Sequence, residues 1–447
     1  MTRRVVVLGG GLAGLAAAWT LARNDFEVTL LESGGTLGGL AGSFEREGHF
    51  YPLGYHHILH RDYPLLFFLD LIGALPAVRW RRVRMAFHLD GKFHELGTPA
   101  GFAGFPMPLT DKLRFVRLML RTFRKRDWRD WEGRTAAELI DQWAGPGVRT
   151  ALFEPLTRLK FQLPCADVSG AWLGARLHYR EGSAPLGYIP HANWTTVLCR
   201  GMAQLVAEAG VQVRLHSPVS RLLAEGGALR EAELAGGERV PGDLFVSGVP
   251  TEVYGRLVPH DTTPNLREIH YSALISVVCA TRQQVESRFY WTNLASLDTT
   301  ACGIFRLDAL NPSIGAPGEA CVNFVTHLHG RDRPIFQWTD QQLIEAYRAD
   351  FRKIYGFDLE PSWYNVARVA MYSPVFGPDF HNPPVRSSSW DNVYFAGNYR
   401  TFPSIVSTGT ALASGLEAAE AVLADSGRTT DLPARAAGFR PAAMPRA

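Results

Sequence analysis

Arg3-Arg4-Val5-Val6-Val7-Leu8-Gly9-Gly10-Gly11-Leu12-Ala13-Gly14 is the stretch on which the reading of this sequence turns, and it runs on to Glu32. Val5 to Leu8 is a short apolar run bounded by glycine, the pattern of a buried parallel strand. Gly9, Gly11 and Gly14 then spell G-x-G-x-x-G. Leu12 to Arg23 is rich in Ala and Leu and reads as a helix. Glu27 to Leu31 reads as a second strand, with Glu32 at its C-terminal end. Gly9 allows a sharp turn, Gly11 lets the backbone approach a pyrophosphate, and Gly14 lets helix and strand pack closely. The helix N-terminus offers unpaired N–H groups and partial positive charge to phosphates. Glu32 is placed to accept from ribose hydroxyls. The strand, the helix and the acid together point to a dinucleotide. Without a ligand the same residues would make a structural βα turn with an ordinary surface glutamate.

A second glycine-rich loop follows: Ser33-Gly34-Gly35-Thr36-Leu37-Gly38-Gly39-Leu40-Ala41-Gly42-Ser43. A nicotinamide enzyme has no general need for it. An FAD enzyme whose chain passes the pyrophosphate twice does. Val5 to Ser43 resembles the flavin amine oxidase superfamily, which also holds protoporphyrinogen oxidases and phytoene-type desaturases. That resemblance implies an α/β fold: a Rossmann-like FAD-binding domain with a parallel sheet and an inserted α+β substrate domain. The implied FAD contacts are Gly9, Gly11, Leu12, Ala13, Gly14, Glu32, Ser33, Gly38, Gly39 and Leu40. Leu40 stands where the family usually has an arginine. The implied division is 1–60, 187–260 and 386–425 for the FAD domain and 61–186 with 261–385 for the substrate domain or lid. Residues 426–447, with repeated Ala, Arg and Pro, read as a disordered tail.

At 447 residues the chain can form two or three core-bearing units. A hydrophobic share of 46% and a charged share of 20% describe a globular protein. A formal charge of +3 singles out no partner. Five scattered cysteines without a C-x-x-C suggest neither zinc nor a disulfide framework, and fit a reducing cytosol. No signal peptide and no apolar run of transmembrane length is evident, so the expectation is a cytoplasmic enzyme, at most peripheral on the inner membrane face.

Gly54-Tyr55-His56-His57-Ile58 resembles the superfamily segment that passes near the flavin ring. His56 and His57 are candidates to bond the flavin, shuttle a proton or touch substrate. Equally, they are imidazoles satisfied by backbone. No metal site is expected, since no third ligand sits at coordination spacing. The helix expected from about Asp111 to Lys125 spaces Leu113, Val116, Leu120 and Phe123 on one face. Its other side is basic: Lys112, Arg114, Arg117, Arg121, Arg124 and, up to residue 126, Lys125 and Arg126. That pattern is either a solvated face, a peripheral contact with an anionic membrane, or a means of capturing an anionic substrate. Nucleic acid is not expected, because no recognised module accompanies the charge. Lys160, in Glu154-Pro155-Leu156 to Lys160-Phe161, resembles a segment of bacterial relatives of protoporphyrinogen oxidase. It is a candidate catalytic lysine acting on substrate or flavin-bound oxygen, or a lysine paired with Glu154.

Gly187 to Trp194 resembles the family's return to the nucleotide domain, with Ala192-Asn193 in place of the usual Gly-Gly. By that resemblance the backbone of Val219 pairs with adenine. The stretch Val393-Tyr394-Phe395-Ala396-Gly397-Asn398 to Ser407-Thr408-Gly409 matches the last FAD motif of the superfamily. Asn398 replaces a usual acid and can bond ribityl or phosphate oxygens. The helix starting near Ser407 and Thr408 would aim its amides at the flavin N1/O2 edge.

The reading is an FAD-dependent oxidoreductase that moves hydride from a small, lipophilic or planar substrate to flavin N5. Isoprenoid desaturation and porphyrinogen-type oxidation are the implied reactions. An amine fits less well: Lys353 is the only lysine after Lys160, and Trp390 has no clear aromatic partner. The rivals are a redox-neutral enzyme like UDP-galactopyranose mutase and a non-catalytic flavin-binding protein.

Overall fold

The computed structural model describes residues 3–125, 127–179, 185–286, 288–295 and 298–441. Twelve strands build its two main sheets. They are β1 (Arg4–Leu8), β2 (Glu27–Leu31), β3 (Met85–Leu89), β4 (Lys92–Glu95), β5 (Gln212–Arg214) and β6 (Leu244–Ser247), then β7 (Tyr271–Thr281), β8 (Trp291–Leu294), β9 (Gly303–Arg306), β10 (Ala320–Leu328), β11 (Trp363–Pro374) and β12 (Val393–Phe395). The helices used below are α1 (Leu12–Ala22), α2 (Tyr63–Leu71), α3 (Leu109–Arg124), α4 (Glu154–Phe161) and α5 (Gly170–Tyr179), followed by α6 (Trp194–Glu208), α7 (Asp340–Tyr355), α8 (Thr408–Asp425) and α9 (Leu432–Gly438).

Short apolar strands that feed helices must bury both faces, and the first sheet does so. Its order is β12-β6-β1-β2-β5, and every pairing is parallel. Leu12 through Leu21 of α1 are all buried, as expected of a helix apolar all round. Helices α1, α2, α6 and α8 share one core on one side of this sheet. The small antiparallel sheet of 219–225, 228–234 and 239–241 joins a core on the other. This is an α/β, Rossmann-like architecture.

The second sheet has the order β11-β7-β10-β9-β8-β3-β4, antiparallel except where β8 meets β3. Residues near 90 therefore share one sheet with residues 271–374. Strand β7 is buried at every position. Helix α7 covers one face through Leu343, Tyr347 and Phe351. Its start is fixed by a Thr339–Gln342 capping box.

Two expectations need correction or refinement. The tail is not wholly disordered. Helix α9 packs on α2 and α8, Ala436 is buried, and the Phe439 ring lies 5.8 Å from that of Phe67. Leu432, Ala436 and Phe439 fall on one helical face, an apolar stripe hidden by the Ala/Arg/Pro composition. Residues 442–447 lie outside the described residues. On α3 the apolar face is turned outward. Leu113, Val116, Leu120 and Phe123 are 64%, 43%, 50% and 52% exposed, while Asp111, Leu118 and Thr122 are buried. The basic side chains flank this outward stripe; Arg126 lies outside the described residues.

Candidate active site

At the C-terminal end of the parallel sheet the two glycine-rich loops are laced together. The Gly38 amide donates to the Gly10 carbonyl at 2.8 Å, and Gly11 and Gly38 form a bridge. Gly9 turns at φ +93°, and a Cβ on Gly14 would stand 2.0 Å from the Gly9 carbonyl oxygen. Gly14 is thus required by the approach of helix to loop. A Cβ on Gly11 would meet nothing within 4 Å, and no side chain caps α1. The first amides of α1 therefore face open space of the kind a pyrophosphate fills. The Glu32 carboxylate accepts from the Gly10 and Gly34 amides, each at 2.7 Å, and from the Ser33 hydroxyl at 3.2 Å. The Ser217 amide donates to the Glu32 carbonyl at 2.8 Å, which brings Val219, two residues on, to the same end of the sheet. Gly39 and Leu40 lie in the short turn Gly39–Ala41, with Leu40 on the surface.

A second helix start completes the site. The Gly397 amide donates to Ser414 Oγ at 2.9 Å, and the Asn398 side-chain amide to the Tyr372 carbonyl at 3.2 Å. Ser407 caps α8 in a reciprocal box with Thr410. The Thr408 hydroxyl is buried with no partner among the described residues. Asp62, just before α2, presses on this start: a Cβ on Gly409 would overlap its Oδ1. Burial pushes the Asp62 carboxyl up to about 6, against the Ser407 hydroxyl and the Gly409 and Leu65 amides, which favour the charged form. Its Oδ2 has no partner among the described residues. Buried polar atoms left over at a helix start suit a ligand rich in hydrogen-bonding groups.

A cavity opens at His327, whose ring lies 5.6 Å from that of Tyr372. Tyr55, Phe153, Leu156, Trp172, Trp291 and Phe305 give it apolar and aromatic walls. Tyr55 stacks on Phe305 with centroids 4.0 Å apart, and its hydroxyl lies 3.3 Å from His327 Nε2. Lys160, from α4, also lines the cavity. It is not paired with Glu154, which instead accepts from Arg158 at 3.1 Å and from the Cys165 amide. Arg176, from α5, stands on the same wall as Trp172, 5.5 Å from that ring. Burial first, then the charges of Lys160 and Arg176, hold the His327 imidazole well below its ordinary value, so it is neutral.

The paired histidines point elsewhere. His56 Nδ1 donates to the Gly54 carbonyl at 2.9 Å, and burial lowers its basicity. His57 Nε2 meets the Tyr290 hydroxyl at 2.9 Å. Neither lines the cavity. The residues that do, Tyr55, Arg176 and His327, were not singled out from sequence. The only available signals were a lone arginine in the apolar run of α5 and a lone histidine in the apolar strand β10. Asp62 was also missed. No cluster of three metal-ligating side chains occurs among the described residues.

A family model for flavin containing amine oxidoreductases matches residues 12–423. The chain belongs to this family. It is similar to the 15-cis-phytoene desaturase of Solanum lycopersicum, 22% identical over 94% of this chain and 78% of that one. It is similar to the zeta-carotene desaturase of Synechocystis, 23% identical over 95% and 98%. Its fold matches the crystal structure of reduced UDP-galactopyranose mutase with a TM-score of 0.73, at 15% identity, over 98% and 99% of the two chains. This flavin amine oxidoreductase relative is therefore an FAD-dependent oxidoreductase. No helix among its described residues is long and apolar enough to cross a membrane.

Proposed function

We propose that this enzyme oxidises a lipophilic or planar small molecule by removing a hydride from a C–H bond, in the manner of a polyene desaturase or porphyrinogen oxidase. Segments 1–60, 187–260 and 386–425 form the FAD domain in this reading. Gly9, Gly11, Leu12, Ala13 and Gly14 hold the pyrophosphate, while Gly38, Gly39 and Leu40 close over it. Glu32 and Ser33 take the ribose, and the Val219 backbone the adenine. Gly397, Asn398, Ser407 and Thr408 face the ribityl chain and ring. FAD held there would supply the hydride acceptor. The protein orients substrate and keeps water away from it. The observation that carries the substrate class is the cavity wall of Tyr55, Phe153, Leu156, Trp172, Trp291 and Phe305, next to Tyr372, whose carbonyl holds Asn398. Arg176, with no carboxylate partner among the described residues, disfavours a protonated amine in this cavity. Lys160 acts by binding, and His56 and His57 act as supports.

Helix α3 fits delivery of such a substrate from a membrane. Leu109, Leu113, Val116, Leu120 and Phe123 form one outward stripe. Arg117 and Arg121 lie over the Trp143 ring, and no carboxylate pairs with Arg117, Arg121 or Arg124 among the described residues. Apolar stripe, interfacial tryptophan and unpaired guanidiniums complement an anionic bilayer surface. On the inner side of α3, Phe115 meets Phe153 of the cavity wall with centroids 6.1 Å apart.

One observation favours a redox-neutral sugar mutase instead: the cavity cations would also take a diphosphate. Incubation with a membrane lipid extract and oxygen or a quinone, followed by mass spectrometry, separates the two. A lipid product lighter by two hydrogens is expected. Turnover only of a nucleotide-sugar, and only after the flavin is reduced, would contradict it.

A further inference from the structure

Arg176 sits in an apolar helix, between Ala175 and Leu177 and one turn from Trp172. Enclosure depresses its guanidinium below the ordinary value; the phenols of Tyr55 and Tyr372 are the groups that oppose this. It lines the cavity, and no carboxylate pairs with it among the described residues. Lys160 reaches the same space from α4, and both cations bear on His327. His327 Nδ1 is buried without a partner among the described residues, while Nε2 lies against the Tyr55 hydroxyl. If that hydroxyl donates to Nε2, Nδ1 carries the proton and is a free donor. No Asp or Glu is among the described residues that line the cavity.

An enclosed guanidinium cannot shed its charge, and leaving it unpaired is costly. A site meant only for hydrocarbon would gain by replacing it with leucine. Its fork geometry matches a carboxylate, which it can hold through two parallel hydrogen bonds. We propose that the cavity is a carboxylate-reading site: the substrate is an otherwise apolar molecule whose carboxylate docks on Arg176, with Lys160 beside it and His327 Nδ1 as a further donor. The aromatic walls take the carbon skeleton, so the anion sets which end of the substrate enters and how far. This names the substrate class of the cavity discussed above and rests on that cavity being where substrate binds.

The test compares two matched polyenes, all-trans-retinoate and all-trans-retinol, on the FAD-loaded enzyme under anaerobic conditions. Binding is followed by quenching of tryptophan fluorescence, since Trp172 and Trp291 line the cavity. Retinoate is expected to bind roughly ten- to hundred-fold more tightly than retinol, the scale of hydrogen bonds to charged groups. Arg176→Gln should abolish that preference and leave retinol binding unchanged, and Arg176→Lys should restore part of it. If the glutamine variant loses its flavin or its circular dichroism, Lys160→Gln provides the same reading, with a several-fold loss of preference. Equal binding of the two ligands to the wild type overturns the proposal, as does a preference that survives Arg176→Gln or that Lys160→Gln leaves undiminished. UDP-galactose binding more tightly than retinoate also overturns it, by assigning the cations to a diphosphate. Failure of both polyenes to bind would overturn the lipophilic reading of the cavity as well. Equal binding would leave that reading standing.

Discussion

Tyr372 links the glycine-rich cradle to the aromatic cavity, its carbonyl accepting from Asn398 and its ring 5.6 Å from that of His327, and the two regions are built in opposite ways. The cradle is made of backbone. Its proposed donors are the uncapped amides at the start of α1, and its shape comes from Gly9, Gly14 and Gly38 within runs of adjacent residues. The cavity is made of side chains gathered from far apart: Tyr55 from a loop, Lys160 from α4, Arg176 from α5, Phe305 from β9 and His327 from β10. A cofactor common to many enzymes needs a fixed geometry, and backbone supplies it. A substrate particular to this one needs a choice of side chains on a scaffold, which can vary independently.

The largest effect should come from the cradle. Gly14→Ala places a Cβ 2.0 Å from the Gly9 carbonyl, backbone against backbone, so the helix must move. Purified protein is expected to carry no flavin and to lose roughly 3 kcal/mol of stability, the upper end for overpacking. Full flavin occupancy in this variant would mean that the close approach is not needed.

Next comes the outward face of α3. Neutralising Arg117, Arg121 and Arg124 together to glutamine should weaken flotation with phosphatidylglycerol vesicles by roughly a hundred-fold, at about 1 kcal/mol per basic residue near the surface. Wild-type protein should leave phosphatidylcholine vesicles largely unbound at low salt. Equal flotation with both lipids, or no change in the triple variant, would remove the membrane role.

Asp62 probes the boundary between the two regions. Its carboxyl titrates near 6 in the folded protein against an ordinary value of 3.8. A raised acid binds its proton more tightly when folded, so it destabilises the fold as pH rises. The cost is absent below pH 3.8, grows up to about 6 and is complete above that. Asp62→Asn in flavin-free protein should therefore be more stable than wild type at pH 8, by up to roughly 3 kcal/mol, and no more stable than wild type at pH 4. A gain at pH 4 as large as that at pH 8 would assign the effect to packing. His57→Phe should be mildest: loss of the bond to Tyr290 costs about 1 kcal/mol of stability with flavin retained. A hundred-fold loss of turnover would return His57 to the chemistry.

The same division explains what could be read from sequence. Strands at 5–8, 27–31 and 244–247 and the helix at 340–355 follow from apolar period, glycine stops and caps, all local signals. Glu32 stands at the end of β2 and Asn398 just after β12, where the same local signals put them. Arg176 and His327 were not, because each is an isolated polar residue whose meaning depends on what folds against it. His56 and His57 show the converse: two adjacent imidazoles suggest chemistry, and in the fold one donates to Gly54 and the other meets Tyr290. The outward turn of the α3 stripe was hidden too, since periodicity shows that a face is apolar and not which way it looks.

The most direct measurement is the flavin spectrum of the enzyme during anaerobic titration. The expected result is an FAD spectrum that bleaches with a lipophilic donor from a lipid or porphyrinogen panel and stays oxidised with amines. A protein that takes up no FAD, or a flavin bleached by amines alone, would contradict a lipophile-oxidising flavoenzyme.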